Sequence, residues 1–191
     1  MKDLIRRNIN GRKVLFLFII TNIVYCIMLL ITIPGVMAFS NGMKLLDMMP
    51  MGYDNEYVNT LFKTLGEKGR SAYLFRQLPV DMLYPFLFGT SSSLVLAYFL
   101  HKIGKLDGPL FYICFIPLFS GLFDYGENIG IITMLNTYPE NLKIYSQLTN
   151  VFSIFKSSCT IAYFILFIIL LIVFGKNKLL EKNEVNSSNN D

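Results

Sequence analysis

VLFLFIITNIVYCIMLLITIPGVMA, from Val14 to Ala38, carries no charged side chain. A run of about 25 such residues exceeds the roughly 20 that a helix needs to cross the hydrocarbon core of a bilayer. Three more runs of this kind follow, and together they set the fold class. Met82 to Leu100 is also free of charge, and Pro109 to Leu135 and Val151 to Phe174 are apolar with a few polar interruptions. The pattern predicts an all-α, polytopic membrane protein, a bundle of four transmembrane helices at about 14–38, 82–100, 109–135 and 151–174. The four runs take up most of residues 1–175, so one domain is expected there. The polar, Asn/Ser-rich stretch 176–191 is expected to be a disordered cytoplasmic tail.

Composition agrees. The chain has 191 residues, 53% hydrophobic and 16% charged, against about 25% charged in soluble domains. Lys2, Arg6, Arg7, Arg12 and Lys13 precede the first run, but that run is too long for a secretory core and no A-x-A site follows. It reads as an uncleaved anchor.

Basic residues set the orientation. Lys2, Arg6, Arg7, Arg12, Lys13, Lys102, Lys105, Lys176, Lys178 and Lys182 fall on one side of the four runs. Lys44, Lys63, Lys68, Arg70, Arg76 and Lys143 fall on the other. The larger and N-terminal group predicts both termini in the cytoplasm of a cell-membrane protein. The net charge of +4 is explained by these flanks, so no nucleic-acid partner is expected. Membrane lipids are the expected partners, and association with a second copy of the chain stays open.

The outer loop, 39–80, is not featureless. Val58, Leu61, Phe62 and Leu65 recur at i, i+3, i+4 and i+7, one face of a helix. Asp54 is placed to cap its start and Gly66 to end it. A second short helix is expected from Glu67 to Gln77. An amphipathic segment of this kind suits the bundle mouth, as packing or as a lid.

The residues able to carry chemistry lie in the third run. In Phe123-Asp124-Tyr125-Gly126-Glu127-Asn128, Asp124 is three residues from Glu127 and four from Asn128. A helix puts all three on one face, with Ser120 a turn earlier. Each intramembrane carboxylate costs roughly 2.5–3.5 kcal/mol, so both need partners. Lys156 enters the fourth run at a matching depth, and Ser153, Thr160 and Tyr163 extend its polar stripe. The first run offers Thr21, Asn22 and Tyr25, and the second Tyr84 and Ser91-Ser92-Ser93. Lipid satisfies none of these groups, so they are expected to meet in a polar centre open toward the outer side. Asp124, Glu127, Asn128, Lys156, Ser120, Asn22, Tyr25 and Tyr163 are the ligand- or ion-binding candidates. Arg70 and Arg76 are candidates at the outer mouth. Pro117 is expected to kink the third run. Gly126-x-x-x-Gly130 and Gly89, Ser93 and Ala97 mark close helix approach.

Several chemistries are excluded. Cys26, Cys114 and Cys159 lie in three different runs and no CxxC occurs, which argues against a disulfide, a thiol relay and a zinc site. The single histidine, His101, sits at a helix end, so no Ser–His pair or intramembrane histidine is available. No Walker, HExxH or GxSxG motif is present. No metal and no cofactor are expected. The favoured reading is binding or transport of a small ion or lipid-like ligand. Two others stay open: a membrane enzyme using a carboxylate as general acid or base on an amphipathic substrate, and an accessory or assembly protein whose polar stripes serve packing alone.

Overall fold

The computed structural model describes residues 2–140 and 142–188, with side chains from position 5 to 180 other than 141. Every regular element among the described residues is helical. A short α1 (Lys2–Asn8) leads to α2 (Gly11–Met37), α3 (Asn55–Ala72), α4 (Tyr84–Lys102), α5 (Pro109–Thr137) and α6 (Leu142–Ser188). Four stretches are long and apolar enough to cross a membrane: α2, the helical run Asn55–Lys102 that ends in α4, α5, and Leu142–Leu180 of α6.

The segment between α2 and α4 forms a cap over one end of these helices. Asp54 caps α3 by accepting a hydrogen bond from the Tyr57 amide at 2.7 Å. Val58, Leu61, Phe62 and Leu65 are all buried. They join Leu45, Leu46, Tyr73, Ile131 and Met134 in an apolar cluster at the cap end. Gly66 breaks the helix with φ 60° and ψ −173°, a conformation that costs glycine little. The Arg70 guanidinium closes the break, donating to the Phe62 carbonyl at 2.9 Å.

Two prolines share one solution. Pro34 follows a π-helical turn at Met28–Thr32, and Pro79 follows another at Tyr73–Gln77. An inserted residue widens the helix where a proline ring would otherwise meet the preceding carbonyls. The two wide turns pack together, and the Thr32 hydroxyl bonds the Gln77 side chain across them.

Pro117 falls at a change of helix type within α5. It stands at the start of the α-helical part, Ile116–Thr137, after a 3₁₀ stretch at Pro109–Phe115. There its missing N–H leaves nothing unsatisfied. The tail also differs from expectation. Helix continues past Gly175 to Ser188, because Lys176, Leu179, Leu180 and Lys182 are good helix formers and no proline intervenes. Positions 189–191 of the expected disordered tail lie outside the described residues.

α4 is the most buried of the apolar helices, packed between α2 on one side and α5 and α6 on the other. Glycines set the tightest contacts. A Cβ on Gly121 would fall 2.6 Å from the Pro85 carbonyl oxygen of α4, and one on Gly126 2.8 Å from the Phe152 ring of α6. A Cβ on Gly130 would collide with Thr149. The small-residue patterns therefore bring helices of the same chain together. A second apolar cluster, with Phe88, Leu96, Leu100, Cys114, Tyr163 and Leu170, fills the opposite end.

Candidate ligand-binding cleft

Between the two apolar clusters lies a polar layer. α5 presents Ser120, Asp124, Glu127 and Asn128 on its buried face, each no more than 4% exposed. Asp124 is four residues from Ser120, three from Glu127 and four from Asn128, so one face of the helix carries all four. Across from them, the Lys156 ammonium stands 2.7 Å from Glu127 Oε2 and 2.8 Å from Asp124 Oδ1. The Glu127 contact is an aligned hydrogen bond. The Asp124 contact is a close ion pair, so both acids share the one ammonium. Sequence spacing and charge had paired these three residues, and the geometry brings them together.

Ser120 ties the helices a turn away. Its hydroxyl donates to the Lys156 carbonyl at 3.2 Å and meets the Thr160 hydroxyl at 2.7 Å. Asn128 turns toward α4, donating from Nδ2 to the Asp81 carbonyl at 3.3 Å. Glu127 and Asn128 thus lie behind the cleft, in helix contacts.

The cleft itself has a volume of about 520 Å³ and is lined by residues of all four apolar stretches. That is within the range of roughly 300–1,000 Å³ found for small-molecule sites. Asp81, Asp124 and Lys156 form its polar floor, with Ser91, Ser92 and Thr160 nearby. Its walls are apolar or aromatic. Phe18, Leu29, Tyr25 and Met28 come from α2, and Ile161, Phe164 and Phe167 come from α6. Tyr25 stacks on Tyr84 with centroids 5.4 Å apart, and buried Tyr163 meets Phe88 edge-on at 5.5 Å. Asn22 lines the cleft but is exposed, its amide donating back to the Phe18 carbonyl at 2.7 Å.

The opening differs from the sequence expectation. It had been expected at the outer, cap end. There the Leu46–Met48 turn places Asp47 and Met48 over the cleft. The cap is tied to α6, with Asn150 Oδ1 accepting from the Tyr53 amide at 2.9 Å and Ser153 reaching the Met49 carbonyl at a long 3.5 Å. Among the exposed lining residues Pro50 belongs to this cap end, and the others are lateral: Phe18, Asn22, Tyr25 and Leu29 on α2, and Ile161 and Phe164 on α6. Most of the exposed lining thus lies on those two helices.

Comparison with protein-family models, with curated proteins and with solved structures finds no match for this chain.

Two of the sequence candidates are corrected. Arg70 does not guard a mouth, because its guanidinium is held by the Phe62 carbonyl and lies over the Tyr138 ring at 4.6 Å. Arg76 is exposed and has no ion pair with buried Asp81 or Glu127 among the described residues.

Other residues were missed. Asp81 is 2% exposed, lines the cleft, and its Oδ2 makes no hydrogen bond. Its position immediately before a charge-free run was the available signal. Asp47 accepts from the Tyr73 hydroxyl at 2.8 Å and the Gln77 amide at 3.0 Å. An acid set among Leu45, Leu46 and Met48 was the only hint of it. Burial chiefly pushes the neighbouring Tyr53 phenol upward, so it stays protonated at neutral pH. Among the described residues, no group of three or more His, Cys, Asp and Glu side chains is disposed to hold a metal ion.

Proposed function

We propose that this chain is a multi-pass protein of the cell membrane, with four membrane-crossing helices and cytoplasmic termini, that binds a small lipid-like ligand between α2 and α6. The observation that carries this reading is the lateral cleft. It is walled by apolar and aromatic side chains, floored by charged groups, and bounded by helices whose outer faces are exposed Leu, Ile and Phe. A chain lying among the walls would match hydrocarbon to hydrocarbon, while a polar head would meet the floor. Exposed apolar faces of this extent also fit lipid as the surrounding medium.

Retention of a co-purifying lipid tests this. Native mass spectrometry of the detergent-extracted protein is expected to find about one bound amphiphile per chain at a pocket of this size. Ser157→Trp, which fills the cleft from α6, is expected to remove it without unfolding the protein. A native protein that binds no amphiphile, or a Ser157→Trp protein that binds as much, would overturn the reading. The topology has its own test. The sequon Asn186-Ser187-Ser188 is expected to stay unglycosylated in a host that modifies lumenal sites.

A packing role is favoured for one part of the centre. Glu127 is fully buried, does not line the cleft and is bonded to Lys156. It serves the joint between α5 and α6, and ligand contact falls to Asp81, Asp124 and the cleft face of Lys156.

A further inference from the structure

The floor of the cleft is unbalanced in charge and in hydrogen bonding. Asp81 and Asp124 line it, Asp47 lies over the cleft from the cap, and Lys156 is the one cation lining the cleft among the described residues. That lysine is already shared between Glu127 and Asp124. Glu127, Asp124, Asp81 and Asp47 thus put four carboxyl groups around one ammonium. Asp47 has partners for both oxygens. Asp81 does not: it is buried, it faces the cleft, and Oδ2 has no donor. Asp124 Oδ1 has only the lysine that it shares with Glu127. The site therefore has more carboxyl groups than cations and lacks N–H donors. A buried acceptor left unpaired costs about 1–3 kcal/mol, more when charged.

We infer that the cleft takes an amphiphile with a cationic, amine-bearing headgroup, its ammonium seated between Asp81 and Asp124 and its hydrocarbon chain between α2 and α6. This rests on the cleft being a lipid-like binding site and adds the class of head. An ammonium supplies both what the floor lacks in charge and the directional donors that its acceptors need. A phosphate or sulfate head would meet these carboxyl groups, with the lysine already engaged. A bare metal ion is disfavoured because no suitable ligand group exists among the described residues. Tyr84 and Phe88 also line the cleft beside this floor. Aromatic faces favour cations over anions.

The test uses the full chain in a neutral maltoside detergent at pH 7. Thermal unfolding is followed while adding hexadecylamine, hexadecanol or hexadecyl phosphate, which share a tail and differ in head, or butylamine, which keeps the head alone. A ligand bound only by the folded state raises the midpoint as its concentration exceeds the dissociation constant. Hexadecylamine is expected to bind most tightly, hexadecyl phosphate least, and butylamine weakly for want of a chain. Asp81→Asn is expected to weaken hexadecylamine binding by about ten- to a hundredfold, the scale of one charge-assisted hydrogen bond. If that variant does not fold, the head series on the native protein decides. Equal binding of the three long-chain compounds, or unchanged amine binding in Asp81→Asn, would overturn the assignment of the head while leaving the cleft as a lipid site. Butylamine binding as tightly as hexadecylamine would overturn the amphiphile in favour of a soluble amine. Failure of every compound to bind would overturn both readings.

Discussion

α6 has two faces that behave oppositely. Toward α5 it is locked: Phe152 and Thr149 press on glycines 126 and 130, and Lys156 reaches across to two acids. Toward α2 it stands away, and a cleft of about 520 Å³ separates the two helices. The same residue serves both sides, since Lys156 bonds Glu127 behind and helps floor the cleft in front. The contrast teaches that an intramembrane charge cluster is not one thing. One part of it joins two helices, and another lines an open cleft.

The comparison breaks first at Lys156. Lys156→Met leaves Glu127, at 0% exposure, and Asp124 without their cation. Removing one partner of a buried pair costs roughly 3–5 kcal/mol. A large drop in the unfolding midpoint in detergent is expected, with partial recovery when Asp124→Asn and Glu127→Gln are added. A silent Lys156→Met would mean that the α5–α6 joint does not depend on the charges.

Gly121→Leu attacks the neighbouring joint. The Pro85 carbonyl that its Cβ would meet belongs to the backbone of α4, so no side chain can swing aside. Overpacking of this kind costs about 1–3 kcal/mol, read as a lower denaturation midpoint. No change would show that α4 and α5 part more easily than the contact implies.

Glu127→Gln sharpens the comparison. It keeps the shape but turns the Lys156 bond from charge-assisted to neutral, for a loss of about 1–2 kcal/mol. Binding of a co-purifying amphiphile is expected to persist in native mass spectra, because Glu127 lies behind the cleft. Loss of the ligand from a folded Glu127→Gln protein would move that acid into the binding floor.

The smallest effect is expected on the open face. Ile161 lines the cleft and is largely exposed. Ile161→Ala should alter stability by no more than about 0.5 kcal/mol, as for most exposed positions, while lowering the fraction of chains that retain an amphiphile. A strongly destabilised Ile161→Ala would mean that α2 and α6 pack where the cleft is placed.

Much of the local structure was legible in the sequence. The Asp54 cap, the buried face Val58, Leu61, Phe62 and Leu65, and the break at Gly66 are decided within a few residues by helix period, capping chemistry and glycine's freedom. The meeting of Asp124, Glu127 and Lys156 was legible too. Opposite charges at equal depth on antiparallel helices have few other partners in an apolar medium. Arg70 was misread because its partners, Phe62 and Tyr138, come together only through the fold of the cap.

What the sequence determined by itself is the set of four apolar helices and the polar stripe on each, because hydrophobic length and a 3.6-residue period are properties of single segments. Which stripes close on one another was decided by tertiary packing alone. Glycines 121, 126 and 130 let α5 come close to α4 and α6, while α2 packs on α4 and leaves its other flank to the cleft. The burial of Asp81 follows from that arrangement. A stripe records that a helix has a polar face, and only the distances between backbones decide whether that face meets a partner or is left lining a cleft.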